Sequence, residues 1–381
     1  MSESAIVLIT TSFPMANDGS EAAGSFVSDF AEELGKHVPV RVVAPGRQSR
    51  QELWAANVEV FRYEAPAKPL STLKPWRPRD MLEIARVLRA GMCATRAAAT
   101  AGPVAHVLAL WALPSGVWAR RVARELGIGY SVWMLGSDVW SLGRVPVLRG
   151  ILARIVRGAS HAWADGYKLA EDAQGIAGLP VGFLPSTRHI NLANPPALRN
   201  AVPYRLLFLG RWHPNKGVDL LLDALAMLTD DDWCLVEKVE IQGGGGLELL
   251  VSERVAALIA AGRPVEKGRF LAKCEAEAAI ARADWVLIPS RIESIPVVFS
   301  DAMKLGRPVI AMPVGDLPVL LSGTQCGVLS TNVDAPSLCQ ALRSALVSSP
   351  PAFASGVAAQ AKRFDLAETA SHVLQGVFRD A

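Results

Sequence analysis

The feature that most constrains this 381-residue chain is a rhythm that occurs twice. Short β-branched runs such as AIVLI (5–9) and VAHVLA (104–109) alternate with longer amphipathic stretches. That alternation reads as βαβ units, in which a crossover helix returns the chain to the same end of the sheet and makes the strands parallel. In the first half, strands are expected at 5–10, 39–43, 58–62, 104–109, 130–134, 161–164 and 181–184. Helices are expected at 24–36, 78–99, 114–126, 147–157 and 167–176. The stretch NLANPPALRNAVPY (191–204) then breaks the pattern with three prolines and no apolar period, and reads as a linker.

Beyond it the alternation restarts. Strands are expected at 205–209, 236–242, 265–270, 285–288, 308–312 and 328–330. Helices fall at 217–228, 247–261, 275–282 and 297–304, with more helix to the end. The expected fold class is therefore α/β: two Rossmann-like αβα domains facing a central cleft, 1–195 and 196–365. The residues 366–381 form a C-terminal helix that packs back on the first domain. Open α/β sheets bind ligands at the carboxyl ends of their strands.

Composition excludes several classes. No apolar run reaches the ~18–20 residues that span a bilayer, and the opening MSESAIVLITTSF has no basic leader region. The five cysteines are scattered without a CxxC, which disfavours a zinc site or a disulfide framework and fits a cytoplasmic setting. Charge is uneven. Residues 41–157 carry 18 basic against 7 acidic side chains, which suggests an anionic partner or a merely solvated arginine-rich surface.

Three strand exits in the second half carry chemistry. In LLFLGRWHPNKGVDLLLDAL (206–225), Arg211 and Lys216 follow a strand and precede a helix start. Two cations beside free helix-end N–H groups suit a diphosphate, although taken alone they read as ordinary loop residues. In IQGGGGLELL (241–250), the glycines around Gly243 allow close backbone approach, as in a phosphate-binding turn. The run lacks the ordered GxGxxG of a dinucleotide site, which disfavours a nicotinamide-dependent oxidoreductase.

The third exit, PSRIESIPVVFSDAM (289–303), places Glu293 in a loop, a helix start near Pro296 and Asp301 in the helix. Helical rise puts backbones eight positions apart at ~12 Å, whereas paired glycosidase carboxyls lie ~5–9.5 Å apart. Two acceptors for two parts of one long polyhydroxylated ligand fit better. The plainer readings are a charge favouring the helix dipole for Glu293 and a solvated helix face for Asp301.

With these residues in hand, nearly the whole chain resembles the retaining glycosyltransferases of family 4, which have the GT-B fold. The segment 206–225 is similar to that family's Gly-Arg…Lys-Gly segment, and IPSRIESIPVVFSDAMKLGRPVIAMPVGDLPVLL (288–321) to its E-x7-E segment, here E-x7-D. The resemblance implies that Arg211 and Lys216 hold the donor diphosphate and that Glu293 contacts donor-sugar hydroxyls. Backbone at Ser294, Ile295, Pro296 and Val297 would meet phosphate, and Asp301 the ribose. VEKGRF (265–270) would border the base through Arg269 and Phe270. The segment 10–45 is similar to the family's first strand, glycine loop and helix, with Gly24 on the donor side. VLALWALPSGVWARRVARELGIGYSVWMLGSDVW (107–140) resembles its acceptor-side core, with Trp111, Gly136, Ser137 and Asp138. Glu293, Arg211, Lys216 and Asp138 form the catalytic set by resemblance.

Departures are specific: Leu135 stands where the family commonly has histidine, Asp165 replaces a usual serine, and PSTRH (185–189) replaces a Pro-Asn-Gly turn. The expected function is transfer of a sugar, with retention, from a UDP-linked or related donor to a glycan or lipid-linked acceptor. The rivals are a catalytically silent sugar-nucleotide-binding subunit, suggested by Leu135, and a sugar-nucleotide epimerase. No cofactor or metal is required, and DDDW (230–233), which superficially resembles a metal motif, reads as a solvated turn. Residues 68–99 join Lys68, Lys74, Trp76, Arg77 and Arg79 to a helix bearing Arg86, Arg89 and Arg96. This stretch is expected to meet an anionic membrane surface at the cytoplasmic face, with no nucleic acid as partner. The plainer reading has Leu82, Ala85, Leu88 and Met92 packed on the sheet.

Overall fold

The structure, a computed structural model, describes residues 4–15, 24–66 and 73–379. Two compact units emerge: residues up to Arg188 together with those from Leu366 onward, and His189–Asp365.

The first unit opens with β1 (Ala5–Ile9), α1 (Ser25–Gly35), β2 (Val40–Gly46), β3 (Arg50–Ala55) and β4 (Val58–Glu64). It continues through α2 (Pro78–Thr100), β5 (Val104–Leu110), α3 (Ser115–Leu126), β6 (Gly129–Met134) and α4 (Ser137–Trp140). A short 3-10 turn at Leu142–Arg144 leads to α5 (Pro146–Gly158), β7 (His161–Ala164), α6 (Tyr167–Ala177) and β8 (Gly182–Phe183). Among the described residues these strands form one sheet in the order β3-β4-β2-β1-β5-β6-β7-β8. Every pairing is parallel except β3 with β4.

All five residues of β1 are buried, as a parallel strand covered by helices on both faces requires. The missed strand β3 explains itself. It is a largely exposed edge strand whose RQELWA shows little of the apolar alternation that marks a buried one. On one face Val87, Trp118, Leu152 and Leu169 bring α2, α3, α5 and α6 onto a shared core. The inward face of α2 is Val87, Gly91, Thr95 and Ala98; Met92 packs against the core as expected, while Leu82, Ala85 and Leu88 lie outside, which corrects the rest of the expected packing. The cause is the Trp118 ring: a Cβ on Gly91 would stand 2.3 Å from it, so the helix rolls to put its glycine there. On the other face α1 packs with the last helix, α15 (Leu366–Arg379), through Leu366, Ala370, Val373 and Val377, a spacing that lines one side of a helix.

The second unit runs β9 (Tyr204–Arg211), α7 (Val218–Ala226), α8 (Asp230–Cys234), β10 (Val236–Gly244), α9 (Glu248–Ala260) and β11 (Val265–Lys267). It goes on through α10 (Lys273–Arg282), β12 (Trp285–Ile288), α11 (Val297–Lys304), β13 (Val309–Ala311) and α12 (Leu317–Thr324). It closes with β14 (Gly327–Leu329), α13 (Ala335–Leu346) and α14 (Ala354–Lys362). Its parallel sheet is ordered β11-β10-β9-β12-β13-β14.

Three expectations need correcting here. The proline-rich 191–204 stretch is tied to this unit: buried Arg307 donates to the Pro196 carbonyl, and Glu277 accepts the Asn191 amide at 2.9 Å. The strand expected at 265–270 ends at Lys267, because 268–270 turn across the tip of β10, with the Gly268 amide on the Ile241 carbonyl at 3.0 Å. DDDW is no solvated turn. It is the short helix α8, capped by Thr229, with Trp233 buried and Asp232 on Arg343 at 2.8 Å.

Candidate functional site

In the second unit the chain builds outward from β9 to β10 and β11, then returns to the other side of β9 as β12. That reversal leaves a crevice outside the carboxyl ends of β9 and β12, where open parallel sheets bind ligands. The loops leaving those two strands are the ones that carry Arg211, Lys216 and Glu293.

Arg211 is the last residue of β9, exposed and without an ion pair among the described residues. Lys216 ends a short 3-10 turn, and Gly217 behind it starts α7 in the left-handed region at φ 68°. A Cβ on Gly217 would stand 1.8 Å from the Pro289 carbonyl oxygen, so only glycine lets the two loops approach. Lys216 Nζ donates to Glu293 Oε1, and Ser290 Oγ donates to the same oxygen at 3.3 Å. Two of the sequence-predicted site residues are thus brought into direct contact.

A second link joins the loops through residues that sequence reasoning missed. Arg291 grips Asp219 with both guanidinium nitrogens at 2.7 Å each and donates to the Pro214 carbonyl at 2.6 Å. Its backbone amide donates to the Asn215 carbonyl at 2.8 Å. Burial pushes the Asp219 carboxyl up, but the paired guanidinium and the backbone amides of Asp219 and Leu220 together outweigh it and hold the group below the usual range. The cost of bringing a charge inward is offset by a bidentate partner.

Ser294, Ile295 and Pro296 are buried, and Pro296 precedes α11 as its cap residue rather than as its first helical residue. The loop is pressed from behind by Gly315, at φ 54°, whose Cβ would lie 2.2 Å from the Glu293 carbonyl oxygen. The Ser294 hydroxyl is buried with no hydrogen-bond partner among the described residues, a state that costs about 1–3 kcal/mol unless a ligand satisfies it. Asp301, in the second turn of α11, is 1% exposed, so it is a buried acceptor and not part of a solvated face.

The glycine run departs from expectation. The Gly243 amide donates to the Arg269 carbonyl at 3.0 Å, and the Gly244 carbonyl accepts the Trp212 amide at 2.8 Å. Those backbone groups serve the chain itself, so Gly243 has no free N–H for a phosphate. Phe270 is half-exposed and lies over the end of β10, where a Cβ on Gly244 would meet its ring at 2.7 Å. Arg269 is fully outward and paired with Glu275 at 2.6 Å.

In the first unit, the strand order reverses between β1 and β5. Trp111, just past β5, adopts φ 62°, which a bulky side chain rarely tolerates. Gly24 caps α1 in the left-handed region, with Ser12 at 2.7 Å from where its Cβ would be. Beyond β6, Gly136 and Ser137 lead into α4. Asp138 is wholly buried, taking the Ala112 amide at 2.7 Å on one oxygen and the Gly136 amide at 3.1 Å on the other. Burial raises its carboxyl above the usual range, against the lowering effect of those amides. Asp138 thereby ties the turn after β6 to the Trp111–Ala112 corner. Lys68 and its neighbours up to residue 72 lie outside the described residues.

Residues 203–348 match the family described as Glycosyl transferases group 1. Over 132 residues, 32% of this chain, it is 36% identical to a D-inositol 3-phosphate glycosyltransferase of Streptomyces bingchenggensis. The match covers 28% of that relative, and 42% of the corresponding enzyme of Corynebacterium diphtheriae. In fold, a sucrose-phosphate synthase from Thermosynechococcus elongatus superposes with a TM-score of 0.74, covering 99% of this chain and 100% of its own at 19% identity. Anabaena Alr3699/HepE, in complex with UDP-glucose, gives 0.65 over 97% of this chain and 98% of its own at 18% identity. The fold is α/β with two Rossmann-like units, as in GT-B glycosyltransferases.

Proposed function

We propose that this chain is a glycosyltransferase that takes a UDP-linked sugar and transfers it, with retention, to a glycan or lipid-linked acceptor. The observation that carries the reading is the cluster at the β9–β12 reversal: an exposed Arg211 without an ion pair among the described residues, the Lys216–Glu293 pair and the start of α11, all at the exits of two neighbouring strands. Leaving-group charge builds on the diphosphate as the sugar departs. Arg211, Lys216 and helix-end amides of α11 lie where fixed positive charge stabilises it, and catalysis follows from stronger binding of that charge than of the ground state. Glu293 is assigned to the sugar hydroxyls, Asp301 to the ribose, Phe270 to the base, and the buried Ser294 hydroxyl, without a partner among the described residues, to phosphate. No metal enters this scheme. The family match over 203–348 and the likeness in fold to a UDP-glucose complex support it.

Acceptor recognition we assign to the strand exits of the first unit, at Trp111 and the Gly136–Ser137 turn. Attachment to an anionic membrane surface belongs to the same proposal. Trp76 is 75% exposed with Lys74 over its ring at 5.9 Å, Leu82 is 56% exposed, and Arg77, Arg79, Arg86 and Arg89 are exposed on the same stretch of chain. Apolar side chains left in water among cations suit a headgroup layer.

A second reading, a sugar-nucleotide-binding subunit without turnover, is favoured by one observation. Leu135 replaces the usual histidine, and the adjacent Asp138 is spent on backbone amides. The experiment that separates the two is donor turnover measured beside donor affinity. Binding with sugar transfer or donor hydrolysis supports the enzyme, and tight binding with neither supports the silent subunit.

A further inference from the structure

The first unit contains a cavity of about 1010 Å³ lined by α4, the 142–144 turn, the start of α5 and the second half of α6. Its volume lies at the upper end of ligand-sized pockets. None of the residues assigned above to donor or acceptor lines it.

The lining has two chemical parts. Arg144 and Arg149 are exposed cations with no ion pair among the described residues, and Pro146 begins the 13-residue helix α5 beside them. Glu171 and Asp172 supply carboxylates from α6, each paired with Lys168 (2.9 and 3.1 Å) with lone pairs to spare, and the carboxyl end of α6 at Gly175–Gly178 adds the negative end of a helix. Trp140 also lines the cavity. It is half-buried, and its indole N–H donates to Asp172 Oδ2 at 2.8 Å, which holds the ring in place.

These parts narrow the ligand. A bare anion would meet two carboxylates, held by one lysine, and a helix carboxyl end; a bare cation would meet two guanidinium groups that have no ion pair among the described residues. A sugar ring meets all the demands at once. Its C–H face packs on an indole, its hydroxyls donate to carboxylates and accept from arginines, and an acidic substituent pairs with a guanidinium. We propose that this cavity is an accessory binding site for an oligosaccharide that carries an acidic sugar. The proposal stands independently of the donor assignment.

Calorimetric titration of the full chain tests it with three probes: trigalacturonate, maltotriose as a neutral oligosaccharide of the same length, and inorganic phosphate as a bare anion. The expected result is that trigalacturonate binds most tightly. Arg144→Ala/Arg149→Ala should lower its affinity about tenfold or more, as expected for lost charge-assisted bonds. Arg124→Ala/Arg282→Ala, exposed and outside the cavity, should leave it unchanged. Asp172→Asn, which retains a side-chain oxygen for the indole N–H, should give an intermediate loss, with thermal unfolding confirming that each variant is folded. The proposal is overturned if trigalacturonate does not bind, if phosphate or maltotriose binds as tightly, or if the folded Arg144→Ala/Arg149→Ala variant binds it like the parent.

Discussion

Lys216 Nζ donates to Glu293 Oε1 across 77 positions of sequence, joining the loop after β9 to the loop after β12. Neither side chain is fully exposed, so the pair is more than a surface ornament. Each charge is partly satisfied by the other. A donor entering the crevice would redistribute the pair, with the ammonium turning to phosphate and the carboxylate to sugar hydroxyls.

Removing either cation should therefore weaken the donor complex. Lys216→Ala and Arg211→Ala are each expected to cost roughly 1.5–3 kcal/mol of UDP-sugar affinity, the range for charge-assisted hydrogen bonds. Calorimetry reads this directly, and two variants that bind like the parent would contradict the assignment.

Glu293→Gln should separate binding from turnover. Lys216 loses its carboxylate partner and becomes freer for phosphate, so UDP alone should bind as well as before or more tightly. Sugar transfer should fall, because the proposed partner of Glu293 is the sugar. Much weaker UDP binding by this variant would show that the division of roles is mistaken.

The Arg291–Asp219 clasp has a pH signature. The folded-state carboxyl lies below its ordinary value, taken as about 3.9 in the unfolded chain. Its contribution is therefore complete above that value and is lost as pH falls through the lower folded one. Asp219→Asn should be less stable than the parent at neutral pH, with the difference shrinking only at the acid end. Arg291→Ala at neutral pH should cost about 1 kcal/mol, the upper end for a solvent-accessible pair. Urea unfolding across pH checks both; a difference that grows as pH falls would have the wrong sign.

For the membrane assignment, Lys74→Glu/Arg77→Glu should weaken sedimentation with anionic vesicles at low salt, and raised salt should do the same to the parent. Each basic group near such a surface contributes about 1 kcal/mol. Absence of vesicle binding, or binding indifferent to the reversals, would leave a soluble acceptor as the better account.

The sequence was most legible where local pattern and burial coincide. The span of α11, Val297–Lys304, follows from an apolar run behind a proline, and β12 from four consecutive buried residues. It was least legible where the partner is distant or is backbone. Arg291 and Asp219 lie 72 positions apart and each looks like an ordinary surface charge. Asp138 holds the amide of Ala112, 26 positions away, and a backbone amide leaves no mark in the residue code. The roll of α2 was equally hidden, because it depends on the Trp118 ring meeting Gly91.

The central claim, that a nucleotide sugar is held at the β9–β12 reversal, is met most directly by thermal unfolding with UDP-, GDP- and ADP-glucose. A ligand that binds only the folded state raises its stability by about 2.7 kcal/mol at a hundredfold excess over Kd. The account predicts a rise in the midpoint of several degrees, largest with UDP-glucose and lost in Arg211→Ala/Lys216→Ala. No rise with any of the three, or a rise that survives in that double variant, would contradict it.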